Sequence, residues 1–290
     1  MATENTRIAA LAPAKLNLFL HILGQRDDGY HRLETVFQFL DWADELHFTR
    51  RDDAQIHLRI SGQDKLLVAD NLVMRAAKRL QAEANCRYGA DIILHKRIPL
   101  GSGLGGGSSD AATTLLALNQ LWQLHYDKPA LQAMGLTLGA DVPIFIHGKA
   151  AFAAGVGEIF HDVSMLEPWY LLALPACNVS TQEIFSAQQL TRDTPPSKMC
   201  GLRVVEKVGE RYALYGKNDC QAIVCERFPA VKQALEALGQ FATARMTGTG
   251  AAVFAPYASY QLAASDLSRL PAGVVASVVK GANVSSCHLA

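Results

Sequence analysis

Residues 99–113 read PLGSGLGGGSSDAAT. Five of these fifteen residues are glycine, and the run stops at Ser108-Ser109-Asp110 before an apolar, helix-like stretch. A flexible linker would be polar on both sides. This loop instead lies between an apolar strand pattern, ADIILHKRI at 90–98, and an apolar helix pattern, SDAATTLLALNQLWQL. Gly101, Gly103 and Gly106 fit GxGxxG, but a dinucleotide fingerprint also needs a second strand ending in an acidic residue about 20 positions on. Asp127 has that spacing, yet it sits in HYDKPA, a turn between two helix patterns. Walker A fails as well: Gly148-Lys149 and Gly216-Lys217 lack the following Ser or Thr and the upstream glycine. Two readings remain. Glycines let backbone amides converge and a large anion approach, and a helix opening at Ser109 or Asp110 adds free N–H groups and the positive dipole end. The other reading is a purely structural tight turn.

Working outward, APAKLNLFLHIL (12–23) alternates as a strand, with Lys15, Asn17, Phe19 and His21 on one face. Asp27-Asp28-Gly29 is turn chemistry, and strand patterns follow at 33–50 and 54–61. Residues 70–84 form an amphipathic helix with Asp70 as its cap; 128–139 form a short helix, and 142–155 return to strand. After about residue 158 come a strand at 169–176, a helix from Thr181, helical sequence at 217–239 broken near Pro229, and a strand-turn-strand unit at 241–258. A helix at 258–270 and a strand at 273–279 complete the pattern. Strands and helices mix without strict alternation. The expected class is α+β, divided near residue 160 into units 1–159 and 160–290.

Lys plus Arg and Asp plus Glu both number 27, so the formal charge is zero, which argues against nucleic acid as partner. No apolar run approaches the ~20 residues of a membrane span. The opening residues lack a signal-peptide pattern, so a cytoplasmic, bacterial protein is expected. Six cysteines are scattered without a CxxC pair, and no HExxH occurs, so free thiols and no dedicated metal site are expected.

The glycine loop resembles the central motif of the GHMP kinases, a family of ATP-dependent small-molecule kinases. APAKLNLFL (12–20) is similar to that family's first motif and MTGTGAAVFA (246–255) to its third. Thr247 and Thr249 stand where serines are usual, with a hydroxyl kept at both. PAKLNLFLHILGQRDDGYHRLETVFQ, LGADVPIF and KNDC extend the resemblance along the chain, toward a branch whose acceptor is cytidine diphosphate-linked methylerythritol. The resemblance implies two domains, one like the second domain of ribosomal protein S5 and one ferredoxin-like α/β plait, with the active site in the cleft between. It implies ATP and Mg²⁺, the ion held mostly by phosphates and water and near Ser108, in a monomer or homodimer.

Lys15 by itself is an edge-strand lysine reaching water; the resemblance makes it catalytic, activating the acceptor hydroxyl and stabilising the transferring group. Asp141 by itself is a turn aspartate; the resemblance makes it the base or orienting group for that hydroxyl. Pro99, Gly101 and the run Gly103, Leu104, Gly105, Gly106, Gly107, Ser108 and Ser109 would cradle the triphosphate. Asn71 and Lys96, otherwise a helix cap and a solvated strand lysine, would contact adenosine. Tyr30 and Phe185 would sandwich a cytosine, with His31 hydrogen-bonding it; Phe185 could equally be a core residue. Asn17, Thr181, Thr247 and Gly248 would complete the acceptor site, with 247–250 as a second tight turn. A sugar or mevalonate-type kinase is the alternative within the family, and the DDGYH turn argues against it. A catalytically idle nucleotide-binding protein is the alternative outside it, and Lys15 together with Asp141 argues against that.

Overall fold

A computed structural model describes residues 6–61, 70–197, 204–208 and 211–287 of the 290-residue chain. Two long antiparallel strands, β1 (Arg7–Gln25) and β2 (His31–Arg51), open it. β3 (Ile56–Ser61), α1 (Leu72–Glu83), β4 (Gly89–His95) and α2 (Gly106–Leu121) follow. Then come α3 (Lys128–Leu136), α4 (Val142–His147), β5 (Ala151–Ala154) and β6 (Ile159–Asp162). The rest comprises β7 (Trp169–Ala173), α5 (Thr181–Ser186), β8 (Val205–Val208), β9 (Arg211–Leu214), α6 (Gln221–Arg227) and α7 (Pro229–Gly239). β10 (Arg245–Met246), β11 (Val253–Tyr257), α8 (Tyr260–Leu267) and β12 (Ala276–Ala282) complete it.

The main sheet runs β10-β11-β7-β12-β2-β4-β3, with β1 and β5 also on β2, and β6 on β5. Only β3 and β4 pair in parallel among these strands. β12 joins the two ends, pairing with β7 through Ala276–Lys280 and with β2 through Gly281 and Ala282. The helices segregate by half, as the α+β reading expects. α1 to α4 cover one core, built from residues such as Phe48, Leu80, Leu115 and Phe145. α6 to α8 frame another, around Ile223, Leu238 and Val253. Between them a seam of Leu16, Leu18, Phe19, Tyr170 and Phe254 packs β1 against β7 and β11.

Several element boundaries differ from expectation. β1 begins at Arg7 rather than Ala12. Its two-residue alternation breaks at irregularities between Pro13 and Lys15, Asn17 and Leu20, and Ile22 and Gly24. Residues 12–20 are buried on both faces. The cap of α1 is Asn71, whose side chain accepts from the Val73 amide at 2.8 Å, and not Asp70. Asp127 caps α3 through the Ala130 amide, an ordinary reason for a carboxylate there.

Residues 142–147 are helix where strand was expected. A short apolar run cannot be assigned by periodicity. Pro143 in the first turn and Gly148 at φ +80° are the helix signals it carried. α2 opens at Gly106, three residues before Ser109, because Gly105 takes φ +73° as its N-cap and needs no side-chain cap.

Candidate active site

The early start of α2 sets the chemistry of the glycine loop. The Ser109 amide closes the first helical turn onto the Gly105 carbonyl at 2.8 Å. The amides of Gly106, Gly107 and Ser108 thus have no intrahelical acceptor and sit at the positive end of a 16-residue helix. Gly105 to Ser108 line a cleft of about 600 Å³. A Cβ on Gly103, at φ +76°, would lie 2.5 Å from the Thr247 carbonyl oxygen and 2.8 Å from that of Gly250. Glycine is required there because the two loops touch. Their backbones also bond: the Ala251 and Ala252 amides donate to the Gly101 and Ser102 carbonyls at 3.2 and 2.8 Å. The 247–250 segment is a turn, closed from the Gly250 amide to the Thr247 carbonyl at 3.0 Å.

Lys15 is 2% exposed, which corrects the picture of an edge lysine reaching water. Its amide leaves the strand ladder to donate to the Leu104 carbonyl at 2.9 Å, tying β1 to the glycine loop. Its ammonium meets Asn17 Oδ1 at 2.5 Å, the Gly103 carbonyl at 3.1 Å and Asp141 Oδ2 at 3.1 Å. Three N–H groups thus have three acceptors. Asn17 is fixed in turn: its amide donates to Thr247 Oγ1 and its Nδ2 to Thr35 Oγ1. Asp141 precedes α4, makes no capping bond and is 38% exposed, so its carboxylate faces both Lys15 and the cleft.

Lys96 is buried as well, not a solvated strand lysine. Its ammonium lies between Asp44 at 2.5 Å and Asp110 at 2.6 Å, directly beneath Gly106. Asp44 also accepts from the amides of Arg97 and Ile98, so the triad ties the strand entering the loop to the helix leaving it. Burial pushes Asp110 up to about 7; Lys96 works against that shift, and Asp44 adds to it.

At the other end, Tyr30 is an exposed rim residue. His31 is buried and stacks on Phe185, ring centroids 5.1 Å apart and planes at 24°. Burial first, then the Arg192 charge, lowers the His31 pKa. Thr181 Oγ1 shares a hydrogen bond of 2.9 Å with Thr249 Oγ1.

Pro99, Gly101, Lys96, Asn17, Thr181 and Gly248 therefore line the same cleft as Lys15, Asp141, Tyr30, His31 and Phe185. Four expected residues do not. Leu104 and Ser109 point into the interior, Thr247 supports Asn17 from below, and Asn71 caps α1 while its neighbour Leu72 lines the cleft. Leu72 and Thr249 also line the cleft and were not expected there, nor was Arg192, which does not line it but bonds to His31. Thr249 lay inside a quoted motif, whereas Leu72 reads as a core leucine and Arg192 as loop. Among the described residues no cluster of three metal-binding side chains occurs, and no helix is long and apolar enough to cross a membrane. Five cysteines are free; Cys200 lies outside the described residues.

Residues 71–149 match the family described as GHMP kinases N terminal domain. The 4-diphosphocytidyl-2-C-methyl-D-erythritol kinase of Pseudomonas syringae pv. syringae (strain B728a) is 52% identical over 277 residues, covering 96% of this chain and 95% of that one. The protein of the same name from Pseudomonas aeruginosa (strain LESB58) is 51% identical over 288 residues, covering 98% and 97%. A solved 4-(cytidine 5'-diphospho)-2C-methyl-D-erythritol kinase superposes with a TM-score of 0.79 at 33% identity, covering 94% of this chain and 99% of that one. A mevalonate kinase structure, 14% identical with a TM-score of 0.68 and covering 95% and 99%, shares the fold.

Proposed function

This chain belongs to the 4-diphosphocytidyl-2-C-methyl-D-erythritol kinases of the GHMP kinase family, and on that premise we propose the reaction and the role of each side chain. The enzyme transfers the γ-phosphoryl group of ATP to the 2-hydroxyl of 4-diphosphocytidyl-2-C-methyl-D-erythritol, in the non-mevalonate route to isoprenoid precursors. The observation that carries the assignment of roles is the Lys15 ammonium, which touches both the Gly103 carbonyl and the Asp141 carboxylate.

The amides of Gly106 to Ser108 receive phosphate oxygens, and the glycines leave room for them. The acceptor hydroxyl donates to Asp141, which takes its proton as the oxygen attacks. The new bond joins that oxygen to the γ-phosphorus, and the bond from phosphorus to the bridging oxygen of ADP breaks. Lys15 stabilises the charge on the transferring group, in a site where burial strengthens its field. Mg²⁺ fits as an ion carried by the phosphates, with the Ser108 hydroxyl at hand and no acidic cage among the described residues. Bound there, it neutralises phosphate charge. Tyr30 from the rim and Phe185 from the wall sandwich the cytosine, and His31 hydrogen-bonds it.

The chain divides into an ATP-binding unit, 1–159, and a second unit, 160–290, a reading supported by the core beneath α6 to α8, to which β1 also contributes Leu20 and Ile22. β6 (Ile159–Asp162) straddles that division and pairs with β5 of the first unit.

The test is ADP release measured with the diphosphocytidyl alcohol, galactose, mevalonate or no acceptor. Turnover with the first alone is expected. Equal turnover with galactose or mevalonate, or none with any acceptor, would overturn the assignment.

A further inference from the structure

Arg192 stands outside every motif quoted above, in the segment after α5. Its guanidinium is held from several sides. Nη1 donates to the Leu190 carbonyl at 3.2 Å, and Nη2 to those of Phe185 at 3.0 Å and Ala187 at 2.8 Å. Its Nε donates to His31 Nε2 at 3.0 Å.

A guanidinium carries only donors and keeps its proton in proteins. His31 Nε2 is therefore the acceptor of that bond. An imidazole that accepts at Nε2 is neutral and carries its hydrogen on Nδ1. Phe185 fixes the plane of the ring, and turning it over within that plane would replace Nε2 by carbon and break the Arg192 bond. His31 and Phe185 both line the cleft at the end assigned to the base.

We propose that Arg192 is a specificity-determining positioning residue, which makes His31 a fixed N–H donor toward the base of the acceptor substrate. The inference rests on the cytosine reading of this end of the cleft. Cytosine offers an acceptor at N3, the position this donor is taken to face; the O2 acceptor is common to uracil and does not discriminate. Uracil carries a hydrogen on N3, so a fixed donor facing it meets another donor. A site built around a placed polar group rejects the analogue that leaves the group unpaired far better than a merely apolar pocket does. A histidine free to shift its proton would serve both bases.

The test begins on the wild-type protein, where nitrogen-15 spectra of labelled histidine report the tautomer. His31 should carry its hydrogen on Nδ1. Kinetics then compare acceptors linked to cytidine diphosphate and to uridine diphosphate, for wild type, Arg192→Met and Arg192→Lys. Arg192→Met removes the His31 bond together with those to the Phe185, Ala187 and Leu190 carbonyls. It should raise KM for the cytidine acceptor at least about tenfold, with kcat and the KM for ATP within about twofold. The preference for cytidine should shrink by a similar factor, and the His31 signals should shift toward a mixed tautomer. Arg192→Lys should restore part of the preference, since its ammonium can still donate to His31 Nε2.

A wild-type ring with its hydrogen on Nε2 would overturn the proposal, even if neither variant folds. So would an Arg192→Met protein with unchanged tautomer and unchanged preference. A wild type that uses both acceptors equally would instead overturn the cytosine reading, and the specificity role would fall with it.

Discussion

The Lys15 ammonium and the Asp141 carboxylate lie 3.1 Å apart, one on the first strand and the other just before α4, with the glycine loop between them in sequence. Asp141 holds no capping bond, so its loss leaves α4 as it is. Asp141→Ala should fold and bind ATP with near wild-type affinity while kcat falls by about 10²–10⁴. Calorimetric ATP titration beside the ADP-release assay checks both halves. A kcat near wild type would remove Asp141 from the chemistry.

Lys96 is held more tightly than Lys15 and by two carboxylates. Lys96→Met leaves Asp44 and Asp110 buried against each other without a counter-charge. The expected loss is about 3–5 kcal/mol of stability, read by urea denaturation. A loss of ATP affinity with stability intact would mean that the lysine serves the nucleotide and not the scaffold.

Asp110 gives a pH signature. Its folded pKa, raised to about 7, lies above its unfolded value, so the native state binds more protons in the interval between them. Stability from this group is therefore full below the unfolded pKa and is lost as pH rises through the folded one. Asp110→Asn removes the titration. Between about pH 5 and about pH 8, wild type should lose stability relative to the variant, in paired denaturant melts. Parallel curves would mean that Asp110 stays ionised throughout.

Gly103→Ala joins an unfavourable positive φ to a clash with the backbone of the 247–250 turn. We expect about 1–3 kcal/mol of destabilisation and a raised KM for ATP. Gly107→Ala is the control: its added Cβ would sit in ordinary contact, 3.5 Å from Leu72. Equal losses of stability from the two would contradict the close-packed loop pair.

Tyr30 is exposed and touches little of the core, so Tyr30→Ala should leave the melting temperature unchanged. Loss of one stacking face, worth about 1–3 kcal/mol, should raise KM for the cytidine acceptor at least fivefold or so and leave that for ATP nearly unchanged. The opposite order in steady-state kinetics would count against a base-binding role.

The glycine run, its helix and the strands around it were legible because each carries a local signal: positive-φ residues, an apolar face, a turn dipeptide. The start of α2 was misplaced by three residues because a glycine N-cap in the left-handed region leaves no polar cap to find. Residues 142–147 were misread for want of length. Lys15 illustrates the larger limit. A lysine among leucines looks like an edge residue until the chain is folded, because its partners, Gly103 and Asp141, are distant in sequence. The family motifs named Lys15 and Asp141, but no local pattern announced Arg192 or the pairing of Lys96 with Asp44. Ion pairs and tautomers belong to tertiary contacts, and a linear pattern does not encode them one residue at a time.

The backbone bonds from Ala251 and Ala252 to Gly101 and Ser102 also bear on how the molecule is made. The glycine loop leaves the ribosome long before the segment that braces it. Until that segment arrives, the carbonyls of Gly101 and Ser102 have only water, and Gly103 has nothing to press against. A nascent chain therefore carries the motif without the rigid nest, and should not capture ATP during translation. Nucleotide binding becomes a mark of completed synthesis, which a stalled-ribosome series probed with a fluorescent ATP analogue would display as a single late onset.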